Sequence, residues 1–433
     1  MHRFPRFSSL AVMFTIAAAA AANAQTPTFA KDVAPIFYRS CVSCHRPGQI
    51  APMSLLTYDT ARPWARSIKE RVPKREMPPW HIDQTVGIKE YKDDPSLSDV
   101  EIQTVARWVD GGAPMGNAAD MPKMPTFASD DEWSIGKPDL IVSAPTYTVK
   151  ANMADWFGSF YVDSGLNEDR WIKAIEVKPG DKRVVHHTIV YSLQDDEEEL
   201  KMFVPEREND GFNRAAGTRL IEYAIGNLGD VYDEGTARLV KAGAKLHFSA
   251  HYHAIAEDVT EQTRVGIVFY PKGYKPKYII QNKLVGAGNL DIPPGEADVR
   301  HDAYFTLKKP AKLLLFQPHM HYRGRAMALE AIYPDRRVEL LSYVPRFDVM
   351  WQVTYAYKNP PVFPAGTTLH QTSWHDNSVN NKRNPDPTNW VGSGNRTIDE
   401  MSIGHIDFIY LSDEDYTTEL RAQQTRVNTQ QQQ

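Results

Sequence analysis

The apolar positions near the N-terminus recur at helical spacing. Residues 33–37 place their apolar side chains on one helical face. A longer helix is predicted to begin at Ser98, where Ser98 and Glu101 form a capping box, and to end at Gly111. We therefore predict a small all-α domain over residues 25–116.

Beyond that domain, the pattern changes to short β-rich segments, such as 188–191 and 406–410, which Pro, Gly, Asp and Asn turns separate. This pattern is typical of antiparallel sandwiches, and about 290 residues is long for a single sandwich. The predicted fold is multidomain, with the small all-α domain at 25–116, a linker at 117–138, two antiparallel β-sandwich (jelly-roll-like) domains at 139–290 and 291–420, and a disordered polar tail at 421–433.

Residues 1–24 have the pattern of a cleavable export signal. Arg3 and Arg6 precede an apolar run at 10–22, and small residues end at Ala24. The run is shorter than the ~20 residues of a membrane-spanning helix, so we expect a periplasmic protein that does not span the membrane. The formal net charge of −5 provides no basic field for nucleic acid, which we exclude as a partner.

The chain has 2 cysteines in 433 residues, and they stand together as Cys41 and Cys44, followed by His45. Cys-x-x-Cys-His is the attachment signature of c-type haem. A redox dithiol would need a βαβ pattern around it, and a four-cysteine zinc site would need two more cysteines. We therefore expect one covalent haem c on Cys41 and Cys44, with His45 as an iron ligand.

A methionine is the expected second iron ligand, with Met53, Met77 and Met115 as candidates. Two prolines follow Met77 and stiffen its loop. Residues 29–114 resemble the single-haem class I cytochrome c domain, in which a methionine loop precedes the last helix. The resemblance implies that Met77 is the second ligand.

Eleven of the 14 histidines lie beyond residue 180, and most of them are clustered. The clusters are His186 with His187; His247, His251 and His253; and His319 with His321. Side chains two apart on a strand share a face, so each His-x-His pair can chelate one metal ion. Adjacent histidines need a bulge or a strand end to converge. Imidazole suits copper, zinc, iron and nickel, while methionine favours Cu(I).

Residues 139–413 resemble the copper type II monooxygenases, the family of peptidylglycine α-hydroxylating monooxygenase and dopamine β-monooxygenase. In that family two β-sandwich domains each hold one copper. The resemblance implies an electron-transfer copper on His186, His187 and His251. It implies a catalytic, oxygen-activating copper on His319, His321 and Met401. His247 and His253 share a strand face with His251 and stay alternatives to it.

The resemblance implies that one atom of O2 enters a C–H bond of an organic substrate while the other leaves as water. We expect a periplasmic donor to supply the two electrons through the haem, although related enzymes use ascorbate. The sequence does not identify the substrate. One alternative is a haem and copper protein for electron transfer or copper binding, without oxygenase activity. A second is a haem dehydrogenase with another cofactor in its β domain.

Overall fold

The computed structural model describes residues 26–127, 132–193, 218–224 and 229–431. The predicted export signal at 1–24 lies outside the described residues. Within the described ranges, no helix has both the length and the apolar character needed to cross a membrane.

The helices that precede the first strand are short. They are α1 (Ala34–Ser40), α2 (Tyr58–Ala61), α3 (Ala65–Arg71) and α4 (Asp99–Asp110), with a π-helical turn at Phe29–Val33 and 3-10 turns at Arg62–Trp64 and Ala118–Asp120. The predicted capping box is confirmed, because Ser98 and Glu101 bond reciprocally at the start of α4 and Gly111 ends that helix. These helices share a small core around Trp108.

The prediction of an all-α cytochrome c domain is nevertheless wrong. Fewer than half of residues 26–116 are helical, and the stretch between α3 and α4 leaves the helical core. Its backbone N–H groups bond to the second β-sandwich, from Asp83 to Tyr343 O (2.8 Å), from Ile88 to Leu341 O (2.9 Å) and from Lys92 to Ala356 O (2.8 Å). Pro78 and Pro79 cannot donate helical hydrogen bonds, and the apolar residues that follow them are buried against strands.

The first β-sandwich encloses one apolar core between two sheets. Its strands are β1 (Leu140–Ser143), β2 (Tyr147–Val149), β3 (Trp156–Asp163), β4 (Arg170–Lys178), β5 (Val185–Leu193), β6 (Thr218–Ala224), β7 (Asp230–Val231), β8 (Thr236–Val240), β9 (Lys245–Tyr252), β10 (Val259–Glu261) and β11 (Arg264–Phe269). One sheet has the order β3-β9-β5-β6, and β1-β11-β4-β8 faces it. On β9, Leu246 and Phe248 enter the core, while His247 and His251 point to the opposite face.

The second β-sandwich follows the same plan. Its strands are β12 (Tyr278–Gly286), β13 (Val299–Thr306), β14 (Ala311–His319), β15 (Gly324–Ile332), β16 (Val338–Val344), β17 (Tyr355–Ala356), β18 (Val362–Phe363), β19 (Thr368–His375) and β20 (Ile403–Tyr410). The sheet β13-β19-β15-β16 packs on β12-β20-β14-β17 around Phe316, Ile406 and Phe408. The predicted β-rich character of this part of the chain is therefore confirmed.

A single ten-stranded sheet runs through both sandwiches. It is continuous because β12 pairs in parallel with β8, through Tyr278↔Thr236 and Ile279↔Ala237. Next to this junction the buried guanidinium of Arg238 on β8 pairs with the carboxylate of Asp407 on β20. One face of β14 and β20 is thereby held against the first sandwich.

The chain continues after β20 into α5 (Asp413–Gln431). Ser412 Oγ accepts a hydrogen bond from Asp415 N at 3.1 Å, and Lys312 Nζ pairs with Glu419 at 2.7 Å. The helix covers residues 421–431, for which the sequence predicts an unstructured tail.

Candidate metal centre

The structure brings His186, His187 and His251 together. One ring nitrogen from each lies within 4.8 Å of the others. His186 and His187 converge because β5 has a bulge between Val185 and His187 where it pairs with β9, as adjacent histidines on a strand require. Their Nδ1 atoms are 3.0 Å apart.

Asp155 fixes the orientation of the His251 ring. The Nε2 of His251 donates to Asp155 Oδ2 at 2.9 Å, so this imidazole carries its proton on Nε2. Its Nδ1 is buried and has no hydrogen-bond partner in the part of the chain that the structure describes. The Nδ1 lone pair is therefore available to a metal ion.

Burial keeps this first histidine group neutral. It lowers the pKa of His186 to about 3 and that of His187 well below its ordinary value. Burial also lowers the pKa of His251, although the Asp155 carboxylate acts in the opposite direction. Neutral imidazole is the form that binds metals, so the group is prepared for a cation at neutral pH.

The two alternatives to His251 lie elsewhere. His247 Nε2 bonds to Ser159 Oγ at 2.9 Å, and its ring stacks on Tyr161. His253 is exposed and bonds through Nδ1 to Asp155 Oδ1 at 2.7 Å. Of the three histidines on this stretch, His251 is the one that joins His186 and His187.

A second histidine group stands at the end of β14. The ring centroids of His319 and His321 are 5.6 Å apart. His321 Nδ1 donates to Asp399 O at 3.1 Å, which directs its Nε2 lone pair away from that bond. Burial lowers the pKa of His319 to about 4 and that of His321 to about 3, so both rings are neutral.

Glu400 ties the Met401 backbone to the second group. Its buried carboxylate accepts from the backbone N–H groups of His321 (2.9 Å), Arg323 (2.6 Å) and Met401 (3.1 Å). The three bonds hold the backbone of Met401 beside the backbone of the His-Met-His turn.

The two groups form one continuous histidine cluster. The ring centroids of His187 and His319 are 6.1 Å apart, so the first sandwich meets the second at these two side chains. His405 extends the cluster, with its ring centroid 6.0 Å from that of His319. The donor set contains imidazoles and no thiolate, which suits copper, zinc, iron and nickel.

The Cys-x-x-Cys-His motif follows α1 directly. His45 Nδ1 bonds to Met53 O at 3.3 Å, so its Nε2 carries the lone pair that an iron ligand needs. Both thiols are free of disulfides, and burial raises the pKa of Cys41 to about 12. Cys41, Cys44 and His45 are the residues that would hold a haem c, with the His45 Nε2 lone pair available to its iron.

Met77 lies in the loop after α3. With Val72, Leu97 and Ile102 it lines a small pocket between α3 and α4. Among the other candidate ligands, the structure places the Met53 backbone against the His45 ring. The assignment of Met77 as an iron ligand stays a prediction.

The motif loop packs against the first β-sandwich. Lys182 Nζ donates to Gln49 Oε1 at 3.1 Å. Burial raises the pKa of Tyr223, and the nearby Cys44 thiol adds to this effect. Tyr223 lies on β6 next to Ala224, which is paired with His187. The Cys-x-x-Cys-His motif therefore lies close to the strands that carry the first histidine group.

Sequence reasoning missed three polar residues of the cluster. Asp155 is a lone acid before β3, with nothing around it that marks its role. Glu400 has a signal, because it directly precedes the predicted ligand Met401. His405 has no histidine neighbour along the chain, and only the pairing of β14 with β20 places it beside His319.

Comparisons with known proteins add little to this geometry. No family model and no curated protein matches the chain. Among solved structures, the VP2 subviral particle of infectious bursal disease virus is 11% identical over 68% of this chain and 76% of that chain, with a TM-score of 0.19. A protein described as an α-L-fucosidase from Bacteroides ovatus is 10% identical over 67% and 41%, with a TM-score of 0.15. Similarities this weak carry no argument about fold or function.

Proposed function

We propose that this protein is a periplasmic copper-dependent monooxygenase with one covalent haem c and two coppers. In the overall reaction, O2, a C–H bond, two electrons and two protons give an alcohol and water. The observation that carries the proposal is the contact between His187 and His319, which joins two groups of buried neutral imidazoles across the sandwich boundary.

The two groups divide the ligand roles. His186, His187 and His251 would hold one copper, and His319 and His321 with Met401 would hold the other. Copper bound there would supply the redox chemistry by cycling between Cu(I) and Cu(II).

A buried polar network closes the space beside the cluster. Arg219 Nη2 donates to Gln317 Oε1 at 2.6 Å and to Glu222 Oε2 at 3.1 Å. Gln317 Nε2 donates in turn to Glu222 Oε2 at 2.6 Å. These side chains come from β6 and β14, so their hydrogen bonds link the two sandwiches beside the histidine groups.

The contacts of the motif loop support the entry of electrons at the haem. Cys44 and Gln49 belong to the loop that packs near β5 and β6, and His186 and His187 stand on β5. A periplasmic donor that reduces the haem would therefore act close to the first group.

Metal analysis combined with oxygen labelling tests the proposal. Full-length wild type should contain two coppers and one haem, and heavy-isotope O2 should label one hydroxyl of a product from a panel of organic molecules. His319→Gln should lose substrate-dependent O2 uptake. The matched control is His370→Gln, because His370 is equally buried in the second sandwich but bonds to Asp302 and Glu330.

The rival functions give different results. A protein for electron transfer or copper binding would contain both metals without consuming O2. A haem dehydrogenase would oxidise its substrate anaerobically with an artificial acceptor, whereas a monooxygenase would not. Either result contradicts the proposal.

A further inference from the structure

His405 occupies the boundary between the two sandwiches. It lies on β20 directly opposite Gln317 of β14, and its side chain is on the face that carries Asp407. Ile406 and Phe408 point the other way, into the core of the second sandwich. His405 therefore faces the first sandwich, on the same side as the polar network at Gln317.

The ring of His405 is buried without a compensating hydrogen bond at Nδ1. The residue is 2% exposed, and this nitrogen has no partner in the described ranges. A buried polar group without a partner is destabilising, so it calls for an explanation such as a water, a ligand or an ion.

Three other histidines of the second sandwich have at least one side-chain hydrogen bond, although His301 and His375 share the unpartnered Nδ1. His370 bonds to Asp302 at 2.7 Å and to Glu330 at 3.1 Å. His375 Nε2 donates to Met401 O at 3.1 Å, and His301 Nε2 accepts from Asp291 N at 3.3 Å. Among the residues that the structure describes, neither ring nitrogen of His405 has a comparable bond.

The distance to His319 allows a shared metal ion, while His186, His187 and His251 are the three whose ring nitrogens lie within 4.8 Å of one another in the described residues. Two imidazoles that bind one ion through nitrogens at ~2.0 Å have ring centroids no more than roughly 6.3 Å apart. The separation between His405 and His319 is 6.0 Å, and that between His321 and His319 is 5.6 Å. The ring of His187 is also close to that of His319. His187 Nδ1, however, lies beside His186 Nδ1 and so belongs to the first group.

We propose that His405 binds the same metal ion as His319, which gives the second site a third imidazole. The inference rests on the proposed function, since it assumes a metal at the second group. A third imidazole makes this site harder and better suited to Cu(II) than two imidazoles and a thioether alone.

The test measures copper binding by the full-length protein that carries its haem. Copper stoichiometry, chelator competition and the imidazole count from X-ray absorption are compared for wild type, His405→Gln, His405→Met and His319→Gln. His370→Gln is the control. We expect His405→Gln to weaken one copper at least tenfold and to lower the imidazole count. His405→Met, of similar size and with a thioether ligand, should retain that copper when it is supplied and measured as Cu(I).

The outcomes separate this inference from the proposed function. If His319→Gln loses a copper and His405→Gln binds like wild type, the inference is overturned and the two-copper proposal stands. If His405→Met loses as much copper as His405→Gln, the defect comes from packing, and the inference is again overturned. If wild type binds no copper, or if His319→Gln binds it unchanged, the proposed function itself fails.

Discussion

At the scale of single residues, Asp155 decides which nitrogen of His251 faces the first histidine group. The carboxylate accepts from His251 Nε2 and leaves Nδ1 with its lone pair toward His186 and His187. An asparagine can present its amide N–H instead and favour the opposite tautomer. We expect Asp155→Asn to weaken copper binding at this group by about 10- to 100-fold, measured by chelator competition.

The matched control for this change is Asp163→Asn. Asp163 ends the same strand, β3, but it is exposed and lies 3.9 Å from Lys245. Its replacement should leave copper binding unchanged. Equal copper affinity in Asp155→Asn and wild type would show that Asp155 does not orient the ligand.

Glu261 provides a pH-dependent contribution to stability outside the metal cluster. Its carboxyl is fully buried; one oxygen accepts from Gly180 N at 3.3 Å, and the other has no partner among the described residues. Burial raises its pKa from 4.5 to about 7. The folded state therefore favours the protonated acid, and this stabilisation is complete below about pH 4.5 and lost as the pH rises through 7.

We expect the thermal stability of wild type to fall between pH 5 and pH 8. The fall should be smaller in Glu261→Gln, because glutamine stays neutral. For a pKa shift of this size, the difference in unfolding free energy is at most about 3 kcal/mol. Melting temperatures at the two pH values measure it. Glu257→Gln, at an exposed acid paired with Arg183, should keep the wild-type pH dependence. A parallel pH dependence in Glu261→Gln would disprove this assignment.

The sequence identified most of the residues in the cluster but not their mutual arrangement. His-x-His spacing and the His186-His187 pair can be read along the chain, since two-residue periodicity fixes strand faces. The proximity of His187 to His319 depends on how two sandwiches dock, and no local pattern encodes that contact. His405 enters the cluster only through strand register, which the sequence did not define.

At the scale of elements, the stretch between α3 and α4 shows why the helical domain was mispredicted. Helical periodicity was clear in α4, but Trp80, Ile82 and Tyr91 lie outside any helix and pack on the second sandwich. The ring centroids of Trp80 and Tyr355 are 4.9 Å apart, in an edge-on contact. These apolar residues lie within the predicted all-α domain but belong to the core of the second β-sandwich.

The packing of this stretch on the second sandwich can be tested by mutation. We expect Trp80→Ala to loosen the stretch between α3 and α4, because its indole joins the ring contacts with Tyr91 and Tyr355. Trypsin should then cleave at Lys89 and Lys92 several times faster, as followed by mass spectrometry. Trp64→Ala, at a tryptophan 40% exposed in the 3-10 turn, is the control and should digest like wild type. Unchanged cleavage in Trp80→Ala would mean that backbone bonds alone hold the stretch.

At the scale of the whole molecule, the ten-stranded sheet makes the two sandwiches one structural unit. The sequence predicted two sandwiches from segment lengths and turns. It could not predict the parallel pairing of β8 with β12, because that contact involves only two residue pairs. The same junction brings the histidine groups together, so the candidate metal centre depends on the docking of the two halves.

The buried pair of Arg238 and Asp407 should hold this docking. Asp407 also accepts from Asn282 Nδ2 at 2.7 Å, and Arg238 Nε donates to Tyr232 Oη at 2.9 Å. Asp407→Asn leaves a buried guanidinium without its main counter-charge, which costs about 3–5 kcal/mol. We expect calorimetry to show a lower melting temperature and separate transitions for the two halves, with weaker copper binding at His319. The exposed change Asp163→Asn should cost about 1 kcal/mol or less. If the two variants melt alike, the docking is held by the apolar contacts and backbone pairing of the sheet instead.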